Sequence, residues 1–362
     1  MSPVTDGNAP LIDCRAVWKV FGKKSEAAIR AIAERGLGKT EVLKEFGCVV
    51  GVANVSLTLN KGEIFCIMGL SGSGKSTLIR LFNRLIEPSL GKIFVRGSDI
   101  AAMNSEQLRQ TRARHVGMVF QSVALLPQRT VLENAAFGLE VQKVDKAKRL
   151  ETASGALAKV GLADWGNRFP GELSGGMQQR VGLARALAAD PEIILMDEPF
   201  SALDPLIRRQ LQDQFRQLSK ELSKSAIFIT HDLDEAIRVG DRIGIMKDGA
   251  IIQVGTAEDI VLKPADAYVA DFVAGISRLH LVKAHSVMCP VDAFHTVRPD
   301  LEVERLARTS ADADVDALIR IILDSEQDAI AVVRDGSIVG VVTPRSLLQG
   351  VKGKEPGEPT AL

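Results

Sequence analysis

The stretch Gly69-Leu70-Ser71-Gly72-Ser73-Gly74-Lys75-Ser76 has the residue types that a triphosphate requires. Such a ligand takes many hydrogen-bond donors at close range, and glycines at 69, 72 and 74 let backbone N–H groups turn inward where a Cβ would clash. Lys75 is placed to reach the β- and γ-phosphates, and the Ser76 hydroxyl to ligate Mg²⁺. A second group lies far along the chain, in Ile193-Ile194-Leu195-Met196-Asp197-Glu198. There Asp197 would hold Mg²⁺ through water. Glu198 is one residue on and therefore points differently, which makes it a candidate general base for the attacking water.

These residues need elements that bring them together. The apolar run Ile64-Phe65-Cys66-Ile67-Met68 predicts a buried strand ahead of the loop, and Ser76-Thr77-Leu78-Ile79-Arg80-Leu81-Phe82 predicts a helix after it, whose N-terminus would point its dipole at the phosphates. Ile193 to Met196 predicts a second buried strand. Side chains leaving the carboxyl edge of a parallel sheet can then meet a ligand on the phosphate loop.

Between the two groups stands Leu173-Ser174-Gly175-Gly176-Met177, and after them Pro199-Phe200-Ser201-Ala202-Leu203-Asp204. In that order the motifs resemble the nucleotide-binding subunit of an ATP-binding cassette (ABC) transporter. The resemblance implies an α/β fold with a RecA-like core, an antiparallel β subdomain and a helical subdomain at about 122–190. It implies that ATP and Mg²⁺ are bound, with Gly69, Ser71, Gly72, Ser73, Gly74, Lys75, Ser76 and Thr77 around the phosphates. Ser174, Gly175 and Gly176 would reach the ATP held by a second copy of the domain, and the loop ending at Asp204 would link the two sites. Gln121, after Val116-Gly117-Met118-Val119-Phe120, matches a glutamine that touches Mg²⁺ and water. His231, after Ala226-Ile227-Phe228-Ile229-Thr230, matches a histidine at the γ-phosphate that acts with Glu198 and Lys75 in catalysis. Phe21 falls where the family stacks an aromatic ring on adenine, with Trp18 as the other candidate.

With 362 residues the chain has room for a large domain and a small one. Lysine plus arginine and aspartate plus glutamate both number 45, so no global basic signal points to nucleic acid. Four cysteines, at 14, 48, 66 and 289, show no metal or disulfide spacing, which fits a reducing cytosol. Met1 to Gly7 carries no signal peptide, and no stretch approaches the roughly 20 apolar residues of a spanning helix. Residues 11–21 and 49–59 predict early strands. Between them, at about 22–48, two helical segments stop at Gly36 and Gly47. This insertion, together with Arg84-Leu85-Ile86-Glu87-Pro88 and Phe200-Ser201-Ala202-Leu203-Asp204-Pro205, resembles the ATPase subunits of glycine betaine, proline and choline importers. The ATPase domain is expected over 1–276.

Beyond it, Ala329 to Val333, the turn Arg334-Asp335-Gly336-Ser337, and Ile338 to Val342 predict a hairpin, with helices at about Val315–Leu323 and from Arg345. The pattern resembles a small α+β module of the cystathionine-β-synthase (CBS) type over 277–352, regulatory in related importers, with a disordered tail at 353–362. Where many nucleotide-binding members carry an aspartate three residues after the threonine ending the second strand, Thr343 is followed by Pro344, Arg345 and Ser346. Residues 277–362 hold 13 acidic and 10 basic side chains, so composition shows no basic patch for anionic lipid.

The resemblance thus implies an ATP-hydrolysing subunit that forms a homodimer around two ATP molecules. It would lie peripherally on the cytoplasmic face of the inner membrane and drive a separate permease, fed indirectly by a solute-binding protein. An importer of another solute, such as an amino acid, is the nearest rival. A soluble ABC ATPase acting on ribosomes or DNA is further away, because the chain has neither a second phosphate loop nor sustained heptads.

Overall fold

A computed structural model describes residues 9–352 apart from Ala202, Ser277, Arg278, His280, Asp300 and Glu326. The expected disordered tail at 353–362 and the segment Met1 to Gly7 lie outside the described residues. Contacts divide the chain into two units, Met1–Val254 and Gly255–Leu362. The boundary placed at 276 from the sequence thus falls inside the second unit, which also takes in the helices Ala257–Leu262 and Ala267–Val273.

The first unit is built on a six-stranded sheet in the order Ala250–Gly255, Arg242–Lys247, Ile64–Met68, Ser225–Thr230, Ile193–Asp197, Val116–Val119. Ile64–Met68 runs parallel to both of its neighbours, and Ser225–Thr230, Ile193–Asp197 and Val116–Val119 continue the parallel array. Every residue of the Ile64–Met68, Ile193–Asp197 and Ser225–Thr230 strands is buried, as strands covered on both faces must be. Their register pairs Met68 with Thr230 and Asp197 with Ile229. Gly69, His231 and Glu198 therefore leave the sheet at one edge, from three adjacent strands.

A second, antiparallel sheet has the order Val49–Leu59, Ile12–Phe21, Leu90–Val95, Ser98–Asp99. One apolar core joins the two sheets. It contains Ile12, Val17, Val52 and Ile93 from the second sheet, Phe65, Ile67 and Leu195 from the first, and Leu78, Ile79 and Phe82 from the helix Lys75–Phe82 after the phosphate loop.

The insertion forms the two expected helices, Ser25–Arg35 and Lys39–Phe46, each ended by a left-handed glycine, Gly36 at φ 66° and Gly47 at φ 63°. Ala28, Ile32 and Val42 are buried with Val20, Cys48 and Val50 in a small core of their own, against which Trp18 packs. Phe21 pairs with Val49, so the insertion is the connection of a strand hairpin closed at its base.

The helical part consists of Val131–Val141, Lys146–Lys159 and Gly175–Ala188, packed on one another. Asn134 is fully buried in the first of these. Its Oδ1 accepts from Leu126 N at 2.7 Å, and its Nδ2 donates to the carbonyls of Leu126, Arg129 and Thr130. One side chain thus satisfies the irregular backbone at Leu126, Arg129 and Thr130, while Arg185 donates to the carbonyls of Val123 and Ala124.

In the second unit, Ala307–Ser310 pairs parallel with Ile330–Arg334, which pairs antiparallel with Ser337–Val342. Asp335 at φ 51° and Gly336 at φ 80° make the hairpin turn. The helices Val315–Ser325 and Pro344–Lys352 stand where the pattern predicts them. The strand Ala307–Ser310 has no counterpart in that pattern. Its sequence Ala-Arg-Thr-Ser is short and polar, and it leaves no residue buried. The short helices Ala284–Val287 and Val291–Val297 likewise carry no clear sequence signal.

Candidate functional site

The phosphate loop is held by backbone on both sides. A Cβ on Gly69 would lie 2.1 Å from the Met246 carbonyl oxygen, and one on Gly74 would lie 2.1 Å from the Gly51 carbonyl oxygen, with φ at +156° and +105°. Only glycine fits either place. Gly249 N donates to Ser73 O at 2.9 Å and Gly249 O accepts from Ala53 N at 2.8 Å, which ties the loop to both sheets.

Lys75 is 4% exposed, and its Nζ donates to the loop's own carbonyls, Gly69 O at 2.8 Å and Leu70 O at 3.0 Å. Burial holds its pKa below the usual lysine range, while Glu198 and Asp197 pull it back up. The Ser76 hydroxyl donates to Asp197 Oδ1 at 2.8 Å, and Arg80 reaches the other oxygen at 3.4 Å. Glu198 leaves the strand with φ 47°, a left-handed conformation that turns it from the direction of Asp197. Its Oε2 accepts from Gln121 Nε2 at 3.4 Å and lies 3.2 Å from His231 Nδ1.

Neighbours on either side of His231 in the chain position it. The Thr230 hydroxyl donates to Glu235 and accepts from Asp232 N at 3.0 Å, while Glu235 also accepts from Gln212 Nε2 at 2.9 Å. Burial pushes the Glu235 carboxyl up from the ordinary glutamate range against the pull of these donors.

A cleft of about 660 Å³ gathers Phe21, Ser71, Gly72, Gly74, Lys75, Ser76, Thr77, Gln121, Glu198 and His231. Gly69, Ser73 and Asp197 are not among its lining residues; Ser73 and Asp197 are buried. Of the two candidate aromatics, Phe21 lines the cleft, 40% exposed, with Lys19 Nζ 5.2 Å from its ring centroid, whereas Trp18 packs on the insertion. Four further residues line the cleft and do not stand out in the sequence: Lys39, Val49, Val50 and Gly51. A Cβ on Gly51 would meet Phe21 Cε2 at 2.8 Å, so this glycine sets the position of the ring. Nothing in a strand sequence marks such a contact, because it depends on which loop the strand faces.

Ser174, Gly175, Gly176 and Asp204 are not brought to this cleft. Ser174 caps the helix Gly175–Ala188, accepting from Met177 N at 3.3 Å. Asp204 caps Pro205–Glu221, accepting from Ile207 N at 3.2 Å. A Cβ on Gly176 would lie 3.4 Å from Leu203 Cδ2, so the two helix starts are neighbours.

Residues 52–201 match the sequence profile described as ABC transporter. The chain is 45% identical over 351 residues to a glycine betaine/carnitine transport ATP-binding protein of Listeria monocytogenes, covering 97% of this chain and 85% of that protein. It is 48% identical over 276 residues to a glycine betaine/proline betaine transport system ATP-binding protein of Escherichia coli, covering 76% and 69%. A trimethylamine N-oxide transport system ATP-binding protein of Ruegeria pomeroyi is 43% identical over 340 residues, covering 94% and 96%. Among solved structures, a dimeric post-hydrolysis state of an ATP-binding cassette bound to ADP and Pi superposes with a TM-score of 0.58 at 30% identity, covering 68% of this chain and 98% of that one.

Two outcomes are expected from this geometry. Gly51→Ala displaces the Phe21 ring; on the expectation that this ring stacks on adenine, it weakens adenine-nucleotide binding by about fivefold or more in isothermal titration, while thermal unfolding stays near the parent's. For Glu235, a raised folded pKa means stability that is full below the unfolded value and is lost as pH rises through the folded one. Glu235→Gln keeps the hydrogen-bonding shape without the charge. The difference in unfolding temperature, variant minus parent, is therefore expected to grow as pH rises from the ordinary glutamate range, and a difference that is flat with pH would contradict it.

Proposed function

Because the chain belongs to the ATP-binding subunits of ABC transporters of the glycine betaine and quaternary-amine group, we propose that ATP hydrolysed in the Lys75–Glu198 cleft drives such a solute through a separate membrane permease. The relatives' names span glycine betaine, carnitine, proline betaine and trimethylamine N-oxide, all small methylated amines, which supports this solute class over an amino acid. Among the described residues no helix is long and apolar enough to cross a membrane. The proposed station is the cytoplasmic face of the inner membrane, held peripherally by the permease, with a solute-binding protein acting indirectly and no nucleic-acid partner.

The observation that carries the reading is the grip of Gln121 and His231 on Glu198 inside the cleft that also presents Lys75, Ser76 and Phe21. Phe21 stacks on the adenine. Ser71, Thr77 and the loop amides, that of Ser73 among them, bind the phosphates, and Lys75 exchanges the carbonyls of Gly69 and Leu70 for phosphate oxygens. The Ser76 hydroxyl and Asp197 carboxylate, 2.8 Å apart, and the Gln121 amide would hold Mg²⁺, whose hard charge suits their oxygens. Bound there, the ion would neutralise charge on the phosphate. Glu198 takes the proton of the attacking water while His231 holds that water and the γ-phosphate.

In the same proposal two chains close on two ATP molecules. Ser174, Gly175, Gly176 and Asp204 stand outside the cleft of their own chain, as a site completed by a second copy requires. The dimeric state of the solved cassette supports this arrangement.

For the second unit we propose a regulatory module of the CBS type. Its order of strand, helix, strand, strand and helix over Ala307–Lys352 supports the likeness. At the position of the missing aspartate, Ser346 Oγ accepts from Thr343 N at 3.0 Å and Ser346 N donates to Thr343 Oγ1 at 3.1 Å, so the serine is spent on the helix cap that Thr343 makes.

Glu198→Gln is expected to bind Mg·ATP, accumulate it in a closed dimer, and lose roughly 10²- to 10⁴-fold in turnover; near-normal phosphate release would end the assignment of the base. Ser174→Arg puts bulk and charge at the partner's γ-phosphate. It should block ATP-dependent dimerisation in size-exclusion chromatography yet leave ATP binding by the monomer intact. Mixed with Lys75→Ala, it should restore one working site per heterodimer, and equal loss of ATP affinity in the Ser174→Arg monomer would place the signature in its own cleft instead.

A further inference from the structure

We propose that Lys39, carried to the cleft by the helical insertion, is a second phosphate-binding cation of the nucleotide site, held on Asp248 until nucleotide arrives. This rests on the reading of the cleft as an ATP site. Lys39 lines that cleft together with Lys75, Glu198 and His231, and these four are its charged or titratable lining groups. Its Nζ lies 3.2 Å from Asp248 Oδ1.

Asp248 belongs to the turn between the strands Arg242–Lys247 and Ala250–Gly255, and the next residue, Gly249, donates to Ser73 O in the phosphate loop. The ion pair therefore sits beside the loop that receives the phosphates. Both partners are exposed, at 36% and 70%, and an exposed pair of this kind contributes little. A polyphosphate offers the ammonium a denser charge at small cost.

The anchoring of the residue argues against a chance approach. Lys39 opens its helix directly after Gly38, whose N–H is held by Glu41 Oε2 at 2.5 Å, and Val42 on the next turn is fully buried with Val20 and Val50. The start of the helix is thus fixed to the strands that bear Phe21 and Gly51, and only the side chain is left to move. The charge inventory agrees. Lys75 shares the cleft with the Glu198 carboxylate, so one lysine faces one carboxylate before a polyanion enters. Lys39 adds a second cation that an entering polyanion can draw from Asp248.

Displacement of a fluorescent ATP analogue from the full chain by ATP, ADP and adenosine tests the assignment. Lys39→Ala is expected to weaken ATP and ADP by about three- to fivefold at low salt, to leave adenosine unchanged, and to flatten the salt dependence of ATP binding. Lys39→Arg should bind as the parent does. Asp248→Asn frees the ammonium and should tighten ATP, but only where Lys39 is present. Unchanged ATP affinity in Lys39→Ala overturns the proposal, and so does an equal loss for adenosine, which would make Lys39 part of the nucleoside wall. Lys75→Ala serves as the control for the site itself. If it binds ATP normally, the reading of the cleft fails; if it loses ATP while Lys39→Ala does not, only the role of Lys39 fails.

Discussion

Two carbonyl oxygens, from Met246 and Gly51, press on the phosphate loop so closely that neither Gly69 nor Gly74 could carry a side chain. That contact joins three distant parts of the chain: the loop itself, the strand Arg242–Lys247 of the parallel sheet, and the strand Val49–Leu59 of the antiparallel one. The remaining geometry depends on it. With the loop pinned at the carboxyl edge, the order of the central strands decides which residues can face it, and these are His231 and Glu198 from the next two strands outward. The antiparallel sheet, fixed at Gly51, brings Phe21 to the opposite end.

In the cleft and just beneath it, each charged group rests on a partner. Lys75 rests on the carbonyls of its own loop, Ser76 and Arg80 on Asp197, and Gln121 and His231 on Glu198. A charge taken out of water without a partner is costly, and each of these has one. Under the proposed reading, binding a polyphosphate would be an exchange of partners, changing what each side chain touches.

Much of this is legible in residue order. The phosphate loop, the acidic pair and the strands before them show themselves through unbroken apolar runs, because strands buried on both faces admit nothing else. The two glycine stops of the insertion mark its helices nearly residue for residue. What stays hidden depends on position in space. Gly51 and Lys39 carry no local signature; they matter because one faces a ring and the other lines the cleft. Trp18 and Phe21 are both candidates for the adenine until packing sends the first to the insertion core and the second to the cleft. Ala307–Ser310 escapes because a short polar strand is held by its neighbour Ile330–Arg334 and not by its own pattern. The domain boundary, too, is set by resemblance at 276, whereas the contacts group the residues from Gly255 onward together.

The pairing of Phe21 with Val49 closes the ladder below the insertion, and from there the chain is free to make a turn of any length. The entropy of closing a loop grows only slowly with its length, and these helices bring apolar residues of their own to offset it. New segments can therefore be added at this hairpin tip, beside a nucleotide, without shifting the register of either strand. A side chain borne on such an added segment, as Lys39 is, can gain a place in the cleft while the residues on the strands beneath keep theirs.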